Sequence, residues 1–426
     1  VVGLVGSEMC IRDSTTSVLR FKDTDKDIKE IGRELGVAHV LEGSLQIEKE
    51  SIRVRAQLIN GETGFQLWSE TYERQLDSIF DVQDEVSSSI AEALEIELTP
   101  EVKSSFTDFH PQNMEAYKLY LHGLNILQSR FLLTRDEKDF SSAESFFLQA
   151  LELSPNETMP YAGLAWAYAW KFVLSPGQAA MEKALDYNRK ILDIDPNSGN
   201  ALALIAYADY LKKDYESALQ KIVTAIKNSP NSPGVYWSAA VIIRVAGLYH
   251  QSLVLFDRGQ ELDPMQPYFP IGQAQARFFL GDFDGALPYF EKNIPLTRNI
   301  PSSALNYILC LIFLDRTEDA ENILEQWKEL SGKERWWSHA KALIHASRGE
   351  REEALAVIET NWVYAMLSMK NEVIEEIENS MDSIHAHPYL SLINLPIYDS
   401  LRDDPRFERI LEIKKAQYER LSALVK

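Results

Sequence analysis

The chain has 426 residues, of which 45% are hydrophobic and 25% are charged, as is usual for a globular protein with two or three domains. Its formal net charge of −21 argues against direct contact with nucleic acid, which requires a basic surface. No window approaches the roughly 18 uninterrupted apolar residues of a membrane span. Cys10 and Cys310 are too few for a disulfide framework, so cysteine usage leaves the compartment open.

The first 14 residues, VVGLVGSEMCIRDS, are similar to a translated sequencing adapter. We therefore expect residues 1–14 to be an artefact that adds nothing to the fold, and the alternative is a buried strand followed by a turn. On this interpretation the true N-terminus is missing. The expected compartment is then the cytoplasm, and the periplasm stays open because a missing N-terminus leaves a signal peptide untested.

Residues 15–98 predict a small α/β domain. The pattern favours a short strand at Ser17–Phe21 and a helix at Asp27–Leu35 that ends at Gly36. Alternating apolar residues predict three further strands, at Val40–Ile47, Ile52–Leu58 and Phe65–Arg74. A glycine-bearing turn joins the last two strands, and a capping box at Ser78 opens a helix to about Leu98. We expect helices to cover one sheet face and solvent to reach the other.

Five stretches of this domain have the order and spacing of the N-terminal domain of the TolB-like family, which it resembles. They are DIKEIGRELGV (27–37), VLEGS (40–44), RVRAQLI (53–59), LWSETYER (67–74) and IFDVQDE (79–85). Members of that family begin with a further strand and helix that this sequence does not contain. The resemblance therefore implies an open sheet edge that the intact protein covers.

Small residues recur every 34 positions from residue 184 onward. One series is Ala184, Ala218, Ser252, Ala286, Ala320 and Ala354; a second, midway along the preceding helices, is Ala206, Ala240, Ala274, Ile308 and Ala342. Glycines at 247, 281 and 349 mark turns, and prolines at 196, 230 and 264 end the second helices. Small side chains at these points allow paired helices to approach closely. The pattern predicts a series of antiparallel helix hairpins.

This 34-residue helix–turn–helix period resembles the tetratricopeptide repeat (TPR). We predict a linker over residues 99–113, a solenoid over 114–360 with longer turns in its first two hairpins, and a C-terminal helical cap over 361–426 that need not stack further. The ending is similar to the closing segment of proteins that combine TolB-like and TPR regions. The predicted fold class is α+β overall and mostly α, with a small α/β N-terminal domain followed by an α-solenoid of TPR helix hairpins.

The sequence contains no glycine-rich phosphate loop, no G-x-S-x-G elbow and no H-E-x-x-H motif. We therefore predict no enzyme activity, no cofactor and no metal site. Two groups of residues could be considered as metal ligands: His385 and His387 with Asp382, and Asp23, Asp25 and Asp27. Surface histidines and helix-entry charges are the preferred interpretations, because neither group completes a known ligand pattern. Cys310 lies in an apolar run and is expected to be buried and inert.

In TPR proteins one side of each first helix lines a concave groove. The residues mapped to that side are Tyr207, Tyr210, Trp237, Arg244, Tyr268, Gln275, Phe278, Trp336 and His339. We predict an apolar and aromatic groove in which Arg244 supplies the one fixed charge. The basic clamp by which some family members hold an acidic peptide terminus does not occur at these positions. The alternative, for any one of these residues, is that its side chain belongs to the core between repeats.

The predicted function is a non-catalytic protein–protein interaction and regulatory module of a bacterial signalling protein. The resemblance implies an upstream class III adenylate cyclase domain or a winged-helix DNA-binding domain, neither of which is in this sequence. The expected partner is a protein or peptide segment of apolar character, or the missing upstream domain. The alternative function is an envelope assembly or scaffolding protein.

Overall fold

The computed structural model describes residues 21, 24–48, 51–75, 79–94, 111–131, 136–174, 178–212, 214–264, 266, 268–293, 301–331, 334–381 and 386–425. Within these ranges the side chains of residues 47, 79–80, 128–129, 173–174, 301–302, 327–331 and 334–336 are outside the description. The chain forms two compact units. The first unit holds residues 1–208, 227–233 and 261–265, and the second holds 209–226, 234–260 and 266–426.

The described part of the chain is mostly helical, with one small sheet. The elements near the N-terminus are α1 (Ile28–Leu35), β1 (His39–Glu48), β2 (Ser51–Asn60), β3 (Gln66–Gln75) and α2 (Ile79–Ala93). The following helices are α3 (Met114–Ile126), α4 (Glu137–Leu153), α5 (Thr158–Leu174), α6 (Gln178–Ile194), α7 (Gly199–Leu211), α8 (Tyr215–Asn228), α9 (Pro233–Val245), α10 (Tyr249–Leu262), α11 (Tyr268–Phe279), α12 (Phe283–Asn293), α13 (Pro301–Phe313), α14 (Thr317–Ser331), α15 (Glu334–Ser347), α16 (Arg351–Val357), α17 (Asn361–Met366), α18 (Lys370–Asn379), α19 (Tyr389–Asn394) and α20 (Pro405–Leu424).

The first helix has the ends that its sequence predicts. The Asp27 carboxylate accepts a hydrogen bond from the Glu30 backbone N–H at 2.8 Å, which satisfies one of the N–H groups that a helix start leaves open. At the other end Gly36 has φ 68°, a left-handed conformation that glycine adopts without strain. Ile31 and Leu35 are buried and pack with Val40 of β1.

The three strands form an antiparallel sheet in the order β1-β2-β3. One face packs on α2, where Leu58 of β2 and Ile90 of α2 share a buried cluster. On the opposite face Arg53 and Glu73 form an exposed ion pair at 2.6 Å. That face is covered at its other end, however, because Val40 lies on it and packs with Ile31 and Leu35 of α1. The expectation of one covered and one solvated face therefore holds only in part. Residues 17–20, Ser78 and residues 95–110 lie outside the described residues, so the predicted first strand, the cap of α2 and most of the predicted linker are not described.

Helix hairpins follow with the predicted period. In the first series, Ala184, Ala218, Ser252, Ala286, Ala320 and Ala354 all have 0% of their surface exposed. In the second series, Ala206, Ala240, Ala274 and Ala342 are also 0% exposed and Ile308 is 1% exposed. Because small residues stay buried at every step, the repeat phase is confirmed. The mostly α fold, with a small sheet and a solenoid of TPR-like helix hairpins, is confirmed with it.

Glycine occupies the turn inside several hairpins because the backbone there is left-handed. Gly247, Gly281 and Gly349 have φ values of 82°, 79° and 75°. A side chain at either of the first two would also meet a neighbour. A Cβ at 247 would lie 2.6 Å from Pro388 Cβ, and one at 281 would lie 3.2 Å from the Asn394 carbonyl oxygen. These turns therefore require glycine for their conformation and, at 247 and 281, for space.

Two features differ from the sequence-based expectation. The predicted helix from Met114 to about Arg130 changes at Leu127 into a π-helical segment, Leu127–Phe131. This local widening places Leu127 and Phe131, which are 0% and 3% exposed, into the same hydrophobic cluster as Phe140. The C-terminal region, in addition, makes contacts with earlier hairpins that the sequence did not predict.

The C-terminal region does not simply end the solenoid; within the second unit it packs back onto earlier hairpins. Helix α20 begins as predicted, with Pro405 in its first turn and the Asp404 carboxylate capping the Arg406 N–H at 2.9 Å. Farther along it, Ser422 accepts a hydrogen bond from the Gln251 amide of α10 at 2.9 Å. Arg420 lies 3.5 Å from Glu216 of α8. Polar side chains of α8 and α10 therefore meet this region, a contact that the sequence did not predict.

Candidate functional site

The candidate residues lie on the side of the first helices that the repeat phase assigns to a groove, on α7 and, in the second unit, on α9, α11 and α15. The structure places the nine predicted residues in three different environments. Some are half-buried on the helix surface, some are fully buried between helices, and one side chain is outside the description.

A half-buried aromatic cluster, formed by Trp237, Phe256, Tyr268 and Phe269, lies where α9, α10 and α11 meet. The Trp237 ring is 5.7 Å from Tyr268, 5.8 Å from Phe256 and 6.0 Å from Phe269, centroid to centroid. Phe256 and Phe269 are buried, whereas Trp237 and Tyr268 keep part of their surface exposed. Burial raises the pKa of Tyr268 above its ordinary value. Trp237 and Tyr268 therefore join adjacent hairpins and also offer an aromatic surface.

Gln275 and Phe278 are corrections to the predicted groove. Gln275 is 5% exposed, and its amide donates a hydrogen bond of 3.2 Å to the Ser303 hydroxyl of the next first helix, α13. Phe278 is 0% exposed and its ring stacks 6.0 Å from Phe313. Both side chains point at the following hairpin, so they join repeats and do not face a ligand.

The two tyrosines of α7 also differ from each other. Tyr210 is 7% exposed, and its ring meets Tyr215 edge-on at 5.7 Å, so it too is packing. Tyr207 is half-buried and packs beside Met181 and Leu185 of α6. Burial raises the pKa of Tyr207 above its ordinary value. Of this pair, only Tyr207 presents part of its ring to solvent.

Arg244 is half-buried, and its Nε is shielded from solvent without a hydrogen-bond partner. The structure gives its guanidinium no ion pair within the described residues. Burial lowers the pKa of Arg244 below its ordinary value, and the phenols of Tyr249 and Tyr210 act in the opposite direction. A buried cation without a carboxylate partner is costly for a folded protein. Arg244 is therefore the most unusual charged group on this side of the helices.

The last two predicted residues belong to α15. His339 is half-buried, and its Nε2 shares a hydrogen bond of 2.9 Å with the Thr360 hydroxyl. Its ring centroid lies 6.2 Å from Trp362, so contacts with the C-terminal region hold it in place. The Trp336 side chain lies outside the described residues.

Residues that the sequence argument missed occur in the first unit, on α3 and α5. Tyr117 and Tyr120 of α3 are half-buried and stack at 6.5 Å, and Trp166 and Trp170 of α5 are half-buried as well. Tyr117, Tyr120 and Trp166 stand at the same distances from Gly123 and Ala165 as the predicted residues do from the later small residues, so the repeat position could have found them. Trp170, five residues after Ala165, matches none of those distances.

The C-terminal region encloses a polar layer in the second unit. The Tyr249 and Ser391 hydroxyls share a buried hydrogen bond of 2.5 Å. Tyr398 donates to Asn361 Oδ1 at 3.3 Å and lies 3.3 Å from Nδ1 of His387. Burial, followed by the nearby charge of Lys414, lowers the pKa of His387 to about 4. This layer is satisfied internally, which suits a structural role.

The lysine beside this layer is itself buried. Lys414 is 2% exposed and donates to the Ala386 carbonyl at 3.1 Å and to the Met381 carbonyl at 3.3 Å. These bonds tie α20 to Met381, just after α18, and to Ala386, just before α19.

Other candidate chemistry has a simple structural explanation. Cys310 is 0% exposed, and burial raises its pKa to about 12, which keeps it a thiol. Asp27 caps α1, and Asp23, Asp382 and His385 lie outside the described residues. No group of three or more His, Cys, Asp or Glu suited to a metal occurs among the residues that the structure describes.

None of the described helices combines the length and apolar character needed to cross a membrane.

No protein-family model matches the chain. Over 195 residues it is 33% identical to the protein named "Putative adenylate cyclase 3" of Rhizobium meliloti (strain 1021). That match covers 44% of this chain and 32% of the relative, so the chain spans about a third of the relative's length.

Two solved structures show a more distant similarity. The PilF protein of Pseudomonas aeruginosa is 19% identical with a TM-score of 0.40, over 52% of this chain and 95% of that one. The human IFIT1 dimer with PPP-AAAA is 15% identical with a TM-score of 0.45, over 82% of each chain. Similarities at this level carry no conclusion about function.

Proposed function

We propose that this chain is a non-catalytic protein-interaction and regulatory module of a longer bacterial signalling protein whose upstream part is a nucleotide cyclase. One observation carries the proposal, the 33% identity over 195 residues to a bacterial protein named as a cyclase. About two thirds of that relative lies outside the match. A separate catalytic domain in that remainder would explain the name, while the shared part would carry the interaction module.

The helix surface of each unit, taken by itself, supports an interaction role. Half-buried aromatic side chains lie on first helices of the second unit, at Trp237 and Tyr268, and on a first helix of the first unit, at Trp166 and Trp170. Rigid aromatic rings lose little conformational freedom on binding and often dominate protein interfaces. A surface of this kind suits an apolar peptide segment, from a partner protein or from the upstream domain.

The proposal includes the domain boundaries given by the sequence, with a truncated TolB-like domain at 15–98, a solenoid at 114–360 and a cap at 361–426. The three-stranded antiparallel sheet with α2 on one face is compatible with that first assignment. By the resemblance, a strand and helix encoded upstream would extend this sheet.

The test begins with the gene. Extending the reading frame upstream should reveal a cyclase domain in the same polypeptide. Cyclic AMP production by that full-length protein would then be compared with a variant that lacks residues 114–424. A changed rate in the variant, with the cyclase domain still folded, is the expected result.

Two other outcomes would redirect the proposal. A winged-helix domain upstream would replace the cyclase and keep the regulatory module. A secretion signal directly upstream, with no signalling domain, would favour the envelope scaffold. In a separate assay the purified chain should turn over neither ATP nor GTP, and robust turnover that survives repurification would overturn the non-catalytic assignment.

A further inference from the structure

Helix α20 is held to the second unit in two different ways along its length. In its first half Phe407 is 0% exposed and Ile410 is 3% exposed, and both belong to the large hydrophobic cluster that also contains Tyr398. At the middle of the helix Lys414 is buried and donates to two backbone carbonyls. The first half of α20, up to Lys414, is therefore part of the core of this unit.

The second half, residues 415–424, meets α8 and α10 through polar side chains, and we call it the latch. Ser422 accepts a hydrogen bond of 2.9 Å from the Gln251 amide, and Arg420 lies 3.5 Å from Glu216. All four residues belong to the second unit. The side chains of the ion pair are 61% and 53% exposed, and ion pairs that are this exposed contribute little to stability. The polar contacts alone therefore hold the latch weakly.

Apolar contacts of the latch come from Leu421 and Tyr418. Leu421 is 0% exposed, whereas Ile413, about two turns earlier on the same helix, is 51% exposed. The half-buried Tyr418 ring lies 5.9 Å from the Tyr389 ring of α19, centroid to centroid. Burial of one leucine side chain favours a closed state by about ten- to a hundredfold, which leaves closing reversible.

The closed latch also has a cost, at Gln251. Its amide nitrogen donates to Ser422, but its amide oxygen Oε1 is shielded from solvent and has no hydrogen-bond partner among the described residues. A buried acceptor without a partner lowers stability. Because the same amide group contacts the latch, opening lets water reach it. The closed state is therefore favoured by less than the burial of Leu421 alone would give.

We propose that residues 415–424 open from α8 and α10 and close on them as one unit, while the first half of α20 stays in the core. Lys414, held by its two carbonyl partners, marks the end of the fixed half. Local openings of this kind take place well below the free energy of global unfolding. Opening frees α8 and α10 from their contacts with α20 without unfolding the hairpins. This inference goes beyond the proposed function and does not depend on an upstream domain.

Hydrogen–deuterium exchange of the full chain, read by mass spectrometry of overlapping peptic fragments, tests the latch. Backbone amides of residues 415–424 should share one exchange rate, at least about tenfold faster than that of residues 409–414. Low concentrations of urea should not accelerate exchange in the latch, because opening exposes little surface. Equal protection of the two halves of α20 would overturn the inference.

A first variant tests whether Leu421 closes the latch. Leu421→Ala should accelerate exchange throughout residues 415–424 by about tenfold or more, because it removes the buried leucine side chain. Exchange of residues 409–414 should stay as it is in the wild-type chain. Ile413→Ala is the matched control, since this side chain of α20 is exposed, and it should not accelerate exchange in the latch.

A charge swap separates a latch from a helix end that frays by itself. Glu216→Arg, on α8, places a second cation beside Arg420 and should accelerate exchange in the latch by about two- to fivefold. Adding Arg420→Glu to the same chain should restore the wild-type rate, and high salt should remove the effect of the single variant. If protection instead declines residue by residue along 415–424, and neither Leu421→Ala nor Glu216→Arg changes it, the helix end frays without a latch and the inference is wrong.

Discussion

First helices of both units carry aromatic residues, and burial of these residues differs from one repeat position to another. In the second unit Phe278 is 0% exposed and lies between rings of its own and the next hairpin. In the first unit Tyr117, Trp166 and Trp170 remain half-buried. Phe278 lies four residues after Ala274, and its counterpart four residues after Gly123 is Leu127, which is also 0% exposed. A difference at one shared position is seen for Gln275, 5% exposed and one residue after Ala274, against Trp166, half-buried and one residue after Ala165.

The difference follows from what each helix meets next. In the strictly periodic hairpins of the second unit, the following first helix approaches closely enough to enclose Phe278 and Gln275. The first unit has longer sequence intervals inside its hairpins and a π-helical segment at Leu127–Phe131. When groove residues are assigned from repeat position alone, side chains that are buried between closely packed repeats are therefore wrongly included.

The largest expected effect is the loss of a buried ring. Phe278→Ala should lower the free energy of unfolding by about 3–5 kcal/mol, because it removes a fully enclosed side chain and leaves a cavity. Tyr117→Ala, at a half-buried position of the first unit, should cost about 1–2 kcal/mol because less apolar surface is lost. Urea denaturation of both variants measures the contrast. Equal losses would mean that the difference in burial between these two rings does not set their contributions to stability.

Much of the solenoid could be predicted from the sequence, since small residues at a fixed period report directly on close helix contacts. Ala218, Ala286 and Ala354 are all fully buried at the predicted points. The turn glycines were predictable for a similar reason, because a left-handed backbone admits few other residues. Both signals are local or strictly periodic, so they can be recognised in the sequence.

The rest depended on long-range packing that leaves no periodic signal. Nothing near Ser391 in the sequence indicates that it meets Tyr249, which is 142 residues away. Arg244 was predicted to supply a fixed charge, and its lack of a carboxylate partner within the described residues became visible only in the structure. Phe278 and Gln275 were wrongly assigned to the groove, because burial between repeats depends on the neighbouring hairpin as well as on position in the repeat.

The second-largest effect concerns pH and is confined to the second unit. His387 has a pKa lowered to about 4, against an ordinary value of 6.5, because it is buried neutral near Lys414. Between these values the unfolded chain binds a proton that the folded chain does not. Stability should therefore fall as the pH drops from 6.5 through 4, by up to about 3 kcal/mol.

The control for this effect is His387→Asn, because asparagine tolerates the residue's positive φ of 54°. Urea midpoints between pH 7 and pH 4 should converge for the wild-type and variant chains in acid, once the carboxylates common to both are accounted for. A wild-type acid dependence identical to that of the variant would contradict the buried neutral state of His387.

The third effect tests the close contacts between paired helices. Ala218→Leu and Ala286→Leu should each cost roughly 1–3 kcal/mol, because the added methyl groups enter space that is already filled. Ala356→Leu, an exposed position of α16, is the control and should change stability little. Thermal unfolding of the three variants gives the comparison. Unchanged melting temperatures for the two buried variants would mean that the repeat phase does not mark the tight contacts.

The smallest effect compares one hydroxyl from each unit. In the second unit the Tyr249 hydroxyl shares a buried hydrogen bond with Ser391, so Tyr249→Phe leaves the serine unsatisfied and should cost about 1–2 kcal/mol. In the first unit the Tyr161 hydroxyl donates to the Pro155 carbonyl at 3.0 Å in an exposed setting, where water replaces it. Tyr161→Phe should therefore be nearly neutral. A double variant, Tyr249→Phe with Ser391→Ala, should recover part of the loss, because it removes both polar partners together. If the double variant is no more stable than Tyr249→Phe, this hydrogen bond does not couple the C-terminal region to α10.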